Sequence, residues 1–209
     1  MQGLNADIIL IQEGWDLTTD PDLSISTDFV TISGTDRNGV LAFVRRRWWN
    51  PDCSVIACNK HFQVLRLVYQ AVSLIVVNVH LPPVSRGAAA VEESRFSMAL
   101  GDLSSCLSDA WLKYQCWSHI VVAGNLNTVT PSGGSFGPYG KGKWDYRVKE
   151  VDKFARELSL SWDNTYHINR PTHFNKQTNR VSTLDYFLSN STVGNTSSAC
   201  CELYEEDIF

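Results

Sequence analysis

The chain has 209 residues and a net charge of −4, and 44% of its residues are hydrophobic and 19% charged. This length suits one domain with a single hydrophobic core, and the acidic balance argues against binding to nucleic acid by charge alone. Because no apolar run reaches the roughly 20 residues of a membrane span and no N-terminal secretory signal is recognisable, we expect an intracellular protein without membrane contact.

Four short apolar segments in the first half of the chain predict β-strands. Residues 6–12 (ADIILIQ) and 39–45 (GVLAFVR) have the length and side chains of buried strands. Residues 64–71 (VLRLVYQA) alternate more between polar and apolar side chains, which predicts an edge or half-buried strand. Residues 73–80 (SLIVVNVH) predict a strand that stops before a Pro-Pro pair, since proline lacks the backbone donor that a sheet needs.

The second half of the chain combines helices with strands. Residues 88–112 contain good helix formers with apolar residues at helical spacing, and residues 148–158 alternate charged and apolar groups like a surface helix. Residues 119–123 (HIVVA) and 183–188 (TLDYFL) predict strands, and residues 130–142 predict a glycine-rich loop. Helices combined with strands that follow one another directly predict an α/β fold with antiparallel or mixed sheets.

Polar residues recur where the predicted strands end. Five of them end or follow a strand and a sixth lies inside the last one: Glu13, Asn78, His80, Asn125, Asn127 and Asp185. A single polar residue after a strand is most simply the first residue of a turn. Because strand ends hold side chains rigidly, their repetition predicts a functional site at the rim of the sheets, in which all of them except Asn78 share one cleft.

Seven segments, in chain order, resemble the endonuclease/exonuclease/phosphatase superfamily: ADIILIQE, RNGVLAFVRR, IVVNVHLPP, HIVVAGNLNT, FGPYGKG, NTYHINRPTHF and STLDYFLSN. The resemblance extends over nearly the whole chain and is greatest to the endonuclease domains of non-LTR retrotransposons. It implies a four-layered α/β sandwich, in which two mixed β-sheets pack face to face with helices outside, in one domain over residues 1–209. It also implies a metal-dependent phosphodiesterase that nicks DNA, acts in the nucleus and is fused to or encoded with a reverse transcriptase.

The resemblance implies a role for each matching residue. Glu13 corresponds to the metal-binding glutamate, and its carboxylate suits Mg²⁺ or Mn²⁺. His80 corresponds to the residue that contacts the scissile phosphate, and Asn127 to the asparagine that binds phosphate and orients the nucleophile. Asn125 stands where the family has the aspartate that positions or deprotonates the water, and Asp185 corresponds to the aspartate that orients the catalytic histidine. The implied reaction is in-line attack of water on a phosphodiester.

Further substrate contacts are implied by segments that match the DNA-facing parts of the relatives. The candidates are Asn78, Tyr139, Lys141, Lys143 and Thr172. For Tyr139, packing within a turn is an equally good interpretation, and the basic residues after the glycine-rich loop, Arg147 among them, divide evenly between phosphate contacts and a solvated surface. We interpret the three arginines at 45–47 with Trp48 and Trp49 as a solvated loop with aromatic rings packed beneath it, rather than as a nucleic-acid patch.

Three departures from the family pattern predict low activity. The motif that reads GDFN or GDLN in the family reads GNLN here, and the Asn125 amide cannot accept a proton from water as an aspartate does. General-base help is worth about 10²- to 10⁴-fold in rate. The resemblance further implies that the family's first strand and its C-terminal Asp-His pair are missing. We therefore expect weak metal binding, and we expect Asn125→Asp alone not to restore full activity.

Two other functions fit the same sequence. One is a catalytically inactive domain of this fold, either a relic or a protein that binds DNA without cutting it. The other is a member of the superfamily that hydrolyses a different phosphoester, in RNA, a phosphoinositide or sphingomyelin, since a fold does not fix its substrate. The GPYGKG and NTYHINRPTHF segments favour the retrotransposon branch.

Overall fold

In the computed structural model, the described residues are 6–13, 27–33, 39–70, 72–83, 89–114, 119–128, 145–162, 173–175, 180–182 and 185–190. They form eleven β-strands, a 3-10 helix at Arg46–Trp48 and two α-helices, α1 (Ala89–Tyr114) and α2 (Asp145–Glu157). The strands are β1 (Ile8–Ile11), β2 (Phe29–Ser33), β3 (Leu41–Arg45), β4 (Ser54–Cys58), β5 (Phe62–Tyr69), β6 (Val72–His80), β7 (His119–Asn125), β8 (Leu160–Trp162), β9 (His173–Asn175), β10 (Arg180–Ser182) and β11 (Asp185–Asn190). No helix among these residues is long and apolar enough to cross a membrane.

The smaller sheet contains three strands in the order β1-β3-β2. Both pairs are antiparallel, with Ile9 and Thr31 on either side of Phe43 in the central strand. β3 is buried from Leu41 to Val44, which explains its uninterrupted apolar sequence. The strands predicted at 6–12 and 39–45 are therefore confirmed, whereas the five residues of β2 are too short and too polar a run to indicate a strand from sequence.

The larger sheet contains six strands in the order β4-β5-β6-β7-β11-β8. β4, β5 and β6 pair antiparallel, with Gln63 of β5 opposite Asn78 of β6. β6 and β7 are neighbours connected through α1, which is the kind of crossover that parallel strands need. β8 and β11 pair antiparallel, and β9 and β10 form a separate antiparallel pair.

The strand predicted at 64–71 does not lie at an edge, but it is half-buried, since Leu65 and Leu67 are buried whereas Arg66 and Val68 are only partly buried. β5 lies between β4 and β6, and it is buried from Phe62 to Leu65. The alternation comes from Arg66, whose guanidinium reaches the Asp52 carbonyl oxygen at 2.7 Å on the exposed side of the strand. β4 is the edge strand on this side of the sheet. Its bulge interrupts the alternation of side chains by which a strand can be predicted from sequence.

The chain divides into two compact units, residues 1–80 with 105–124 and residues 81–104 with 125–209. In the first unit the two sheets pack face to face through six buried side chains: Ile32, Ala42, Val44, Leu65, Leu67 and Val76. In the second unit, α2 packs beside β8, and Tyr186 and Leu188 of β11 are fully buried. The architecture is thus the predicted α/β sandwich, whereas one domain over residues 1–209 stays a prediction.

Each α-helix buries one face. In α1, the residues at helical spacing that predict the helix are buried, whereas Met98 is 65% exposed. The buried residues are Phe96, Leu100, Leu103 and Leu107 in α1, and Val148, Val151, Phe154 and Ala155 in α2. An exposed opposite face is what an outer layer of a sandwich requires, and the helices predicted at 88–112 and 148–158 are confirmed.

The arginine-rich segment at 45–47 is not a loop, because Arg45 ends β3 and Arg46 and Arg47 begin the 3-10 helix, but Arg46 and Arg47 are exposed as predicted. Arg45 and Arg47 both form ion pairs with Asp7, at 3.5 Å and 2.5 Å. Trp48 and Trp49 are partly buried and pack against the core of the first unit. The rings therefore support the fold, and two of the three arginines share the single carboxylate of Asp7.

Candidate functional site

In the first unit, side-chain amides join the ends of β1 and β6. Gln12, directly after β1, donates from Nε2 to Asn78 Oδ1 at 2.6 Å. Asn78 is fully buried in β6, and its Nδ2 donates to the carbonyl oxygens of Ile11 at 3.1 Å and Leu41 at 3.0 Å. A buried amide with partners for both its donors and its acceptor fixes the strands that it joins. We call the group of Gln12, Glu13, Asn78 and His80 the β1–β6 corner.

The β1–β6 corner brings two of the predicted catalytic and metal-binding residues together. Glu13 Oε1 and His80 Nε2 lie 3.4 Å apart, and the two side chains are 60% and 14% exposed. The backbone of His80 is fixed by His61, because the His80 N–H donates to the His61 carbonyl oxygen at 2.7 Å. A rigid strand end therefore directs Nε2 at a carboxylate that remains open to solvent.

A glycine allows β7 to approach this corner closely. Gly124 has a φ of 134°. A Cβ atom at this position would lie 2.2 Å from the Val79 carbonyl oxygen and 2.9 Å from Gln12 Nε2. β7 can therefore lie this close to Val79, the residue before His80, because Gly124 has no side chain.

In the second unit, Asn125 and Asn127 form a turn directly after β7. The Asn127 N–H donates to Asn125 Oδ1 at 2.8 Å, which is the contact of an Asx turn. Asn127 Nδ2 donates to the Leu81 carbonyl oxygen at 2.6 Å, and the Leu81 N–H donates to the Asn125 carbonyl oxygen at 2.9 Å. We call this the Asn125–Asn127 turn, and its two hydrogen bonds to Leu81 tie it to the segment that follows β6.

Two predicted site residues have left-handed backbone conformations, with φ of 56° at Glu13 and 46° at Asn127. Among the described residues, two other non-glycine positions have positive φ: Gln70 in the turn between β5 and β6, and Ser159 just after α2. A left-handed conformation costs about 1–2 kcal/mol for a residue with a side chain, although asparagine tolerates it better. Glu13 and Asn127 thus share a strained backbone conformation with two turn residues.

The remaining predicted residues are only partly described. Asp185 is the first residue of β11 and is partly buried. Its neighbour Tyr186 meets Trp162 edge-on, with ring centroids 5.2 Å apart. Outside the described residues lie Tyr139, Lys141, Lys143 and Thr172. The single cleft predicted for the strand-end residues stays a prediction.

The side chains of the β1–β6 corner fit a loosely held Mg²⁺ ion. Mg²⁺ prefers oxygen ligands and usually keeps several waters, so one or two carboxylates suffice. Glu13 offers an exposed carboxylate, whereas the Asn78 oxygen already accepts a hydrogen bond from Gln12. Within the part of the chain that the structure describes, no three His, Cys, Asp or Glu side chains form a metal-binding group.

Two residues of these networks are not predicted from the sequence, and two others are predicted to contact substrate but are buried in the protein. Gln12 and Gly124 are not among the predicted site residues, although an amide in an apolar strand directly before Glu13 is a usable signal. Asn78 and Arg147, both considered as substrate contacts, are 0% and 2% exposed. Burial of this degree assigns them contacts with the protein itself.

Replacing Asn78 with leucine is expected to lower the free energy of unfolding by about 2–4 kcal/mol. The change leaves the carbonyl oxygens of Ile11 and Leu41 and the Gln12 amide without their partner, and each unpaired buried group costs about 1–3 kcal/mol. Urea unfolding followed by tryptophan fluorescence measures the loss. The control is Ser73→Ala on the same strand, where the buried hydroxyl has no hydrogen-bond partner among the described residues. Equal losses in the two variants would contradict a structural role for the Asn78 amide.

Solved structures share this fold at low sequence identity. The catalytic domain of Xenopus laevis APE2 has a TM-score of 0.67 and 15% identity, covering 91% of this chain and 76% of that chain. The endonuclease domain of TRAS1, a telomere-specific non-LTR retrotransposon, has a TM-score of 0.59 and 14% identity, covering 91% of this chain and 75% of that chain. The AP endonuclease LMAP from Leishmania major has a TM-score of 0.63 and 12% identity, covering 90% of this chain and 71% of that chain.

Sequence comparison gives the family. No curated protein matches the chain, and identities as low as those of the solved structures establish the fold alone. The sequence model of the Endonuclease/Exonuclease/phosphatase family, in contrast, matches residues 1–207, which is nearly the whole chain. The chain therefore belongs to the Endonuclease/Exonuclease/phosphatase family.

Proposed function

We propose that the chain is a metal-dependent phosphodiesterase domain that nicks DNA, with its activity lowered by Asn125. Family membership supports the reaction class, and the similarity in fold to a retrotransposon endonuclease and an AP endonuclease supports DNA as the substrate. The observation that carries the proposal is the Glu13–His80 pair. An exposed carboxylate lies 3.4 Å from an imidazole at a rigid strand end, which is a combination suited to a metal ion and a phosphate.

Glu13 and His80 have separate tasks in this proposal. Glu13 would hold Mg²⁺ or Mn²⁺, which when bound supplies positive charge that stabilises the phosphate oxygens. His80 donates from Nε2 to an oxygen of the scissile phosphate. In the free protein, Nε2 lies 3.4 Å from the Glu13 carboxylate, and the phosphate oxygen would take the place of this carboxylate as its partner.

The Asn125–Asn127 turn acts on the water and the phosphate. Asn127 is 6% exposed, and we propose that it binds a phosphate oxygen through the second hydrogen of its Nδ2, whose other hydrogen is donated to the Leu81 carbonyl oxygen. Asn125 orients the attacking water by a hydrogen bond but does not take its proton. Asp185 is proposed to stand where the family has the aspartate that orients the catalytic histidine. The proposed DNA contacts are Tyr139, Lys141, Lys143 and Thr172.

We propose a partner and a cellular location by analogy with the retrotransposon branch of the family. The similarity to the TRAS1 endonuclease domain supports the proposal that the chain is fused to or encoded with a reverse transcriptase and acts in the nucleus. Residues 1–209 are proposed to work as one domain. A second candidate function, DNA binding without cutting, is favoured by one observation, the amide at position 125, which cannot act as a general base.

The test is the nicking of supercoiled plasmid DNA by the purified protein carrying Asn125→Asp, in Mg²⁺ and in Mn²⁺. We expect nicked circles that a chelator prevents, and we expect Glu13→Gln to lower the nicking rate by about 10²-fold, as for loss of one group that stabilises the transition state. Glu157→Gln is the matched control, because Glu157 makes an exposed ion pair with Lys153 on α2. It should leave the rate unchanged.

The same proteins separate the two candidate functions. Binding to a fluorescent DNA duplex, measured by anisotropy, should survive Glu13→Gln. Tight binding without nicking in either metal ion would support the binding function. Nicking that persists after Glu13→Gln would remove Glu13 from the proposed site.

A further inference from the structure

Arg147 is a buried cation in the first turn of α2. It is 2% exposed, and its guanidinium carbon lies 4.3 Å from the centroid of the Phe96 ring. Two effects disfavour a cation here, since burial removes the hydration of the charge and the start of a helix carries the positive end of the helix dipole. Its partners must offset both costs, so the contacts of Arg147 indicate its role.

The guanidinium of Arg147 donates to backbone oxygens of two loops of the second unit. Nη1 donates to the carbonyl oxygens of Pro82 at 2.6 Å and Asn127 at 3.4 Å. Nη2 donates to the carbonyl oxygen of Pro83 at 3.4 Å. Two consecutive prolines have no N–H groups, so their carbonyl oxygens are the backbone groups through which hydrogen bonds can hold this loop at these positions. The rigid, planar donors of Arg147 bind both of these oxygens.

The same loops are joined at a second point, around Leu81. Asn127 Nδ2 donates to the Leu81 carbonyl oxygen at 2.6 Å, and the Leu81 N–H donates to the Asn125 carbonyl oxygen at 2.9 Å. Arg147 therefore closes a network that holds both sides of the Asn125–Asn127 turn. The network also stabilises the left-handed conformation of Asn127, whose φ is 46°, against its backbone strain.

We propose that Arg147 is a positioning residue that holds the Asn125–Asn127 turn against the Leu81–Pro83 loop. It acts through the Asn127 and proline carbonyl groups and is not itself a contact to substrate. Its importance for catalysis rests on the proposed function, because the turn carries the residues assigned to the water and the phosphate. Its effect on the turn does not depend on that assignment.

The first test is amide hydrogen exchange, measured residue by residue by NMR on the full chain. Arg147→Met removes the charge and the donors, and we expect the Leu81 and Asn127 amide protons to exchange at least about tenfold faster, because their loops open locally. Amide protons of β5 should exchange at the same rate as in the parent. Arg147→Lys keeps the charge without the planar set of donors, so it should produce a smaller acceleration at the same two amides.

The control is Arg156→Met, on the same helix. Arg156 is exposed and pairs with Asp152 one turn earlier, at 2.5 Å. Because an exposed pair of this kind contributes little, Arg156→Met should leave the exchange of Leu81 and Asn127 unchanged. The lysine variant keeps the test decisive if the methionine variant fails to fold.

The second test uses proteins that also carry Asn125→Asp. We expect Arg147→Lys and Arg147→Met to lower kcat for nicking by about tenfold or more while KM for the plasmid changes by less than about twofold, since small misplacement of reacting groups affects the chemical step. Unchanged exchange at Leu81 and Asn127 in a folded variant would overturn the proposal, as would equal acceleration in β5. If exchange responds as expected and no protein nicks DNA, the positioning role stands and the proposed function fails.

Discussion

Replacing Gly124 with alanine is expected to cause a severe loss of stability. A Cβ atom there would lie 2.2 Å from the Val79 carbonyl oxygen and 2.9 Å from Gln12 Nε2, and the φ of 134° is one that residues with a side chain rarely adopt. The contact at 2.2 Å is with the backbone of a neighbouring strand, so β6 and β7 must separate to relieve it. We expect a loss of more than about 4 kcal/mol, which is exceptional for one substitution and large against a total stability of about 5–15 kcal/mol.

Urea unfolding and the yield of soluble protein measure this effect. Gly101→Ala is the matched control, because Gly101 lies on the exposed side of α1 with nothing within 4 Å of a Cβ atom. Alanine in a helix interior is better than glycine by about 0.5–1 kcal/mol, so the control should unfold at a higher urea concentration. If Gly124→Ala unfolds at the same urea concentration as the parent, β7 does not lie as close to Val79 as described.

Long apolar strands and amphipathic helices could be predicted from the sequence, whereas short or irregular strands could not. β6 buries a continuous run of side chains, which gives an apolar segment of strand length, and α1 buries side chains at helical spacing. β8 has three residues, and β4 has a bulge between Val55 and Ala57. Neither gives a clear period, so the sequence alone does not show that β4 covers the side of β5 and leaves an edge position open for it as one alternative.

The sequence predicts that two of the candidate residues lie near each other, but it does not predict the bonds that organise the site. Glu13 follows one apolar strand and His80 ends another, and both match a family pattern; their side chains lie 3.4 Å apart. The contacts of Gln12 with Asn78 and of Arg147 with Pro82 join residues 66 and 65 positions apart. Local periodicity reports burial and says nothing about which distant carbonyl oxygen or amide a long side chain reaches.

Asn125→Asp is expected to raise the rate of DNA nicking in Mg²⁺ by about 10²- to 10³-fold. A carboxylate accepts a proton from the attacking water and an amide does not, and general-base help is worth about 10²- to 10⁴-fold. We expect less than the upper limit, because groups that act together in one site do not contribute additively. Initial rates of plasmid nicking at equal protein and metal concentrations measure the change.

Replacing the Asn125 amide with a carboxylate should leave the fold intact. Asn125 Oδ1 accepts a hydrogen bond from the Asn127 N–H at 2.8 Å, and a carboxylate oxygen accepts the same bond with added charge assistance. Asn125 is only partly buried at the end of β7, so the new charge keeps part of its hydration. Thermal unfolding of the two proteins should therefore agree closely, which would assign a rate increase to chemistry and not to folding.

The matched control for this substitution is Asn59→Asp. Asn59 Oδ1 accepts the His61 N–H at 2.8 Å, which is the same Asx-turn contact, in the turn between β4 and β5. The control adds the same charge to the same kind of turn, and it should leave the nicking rate unchanged. An equal gain in both variants would attribute the effect to net charge. If Asn125→Asp gives no gain while nicking still depends on Glu13, the water is activated without residue 125, and the role proposed for this position is wrong.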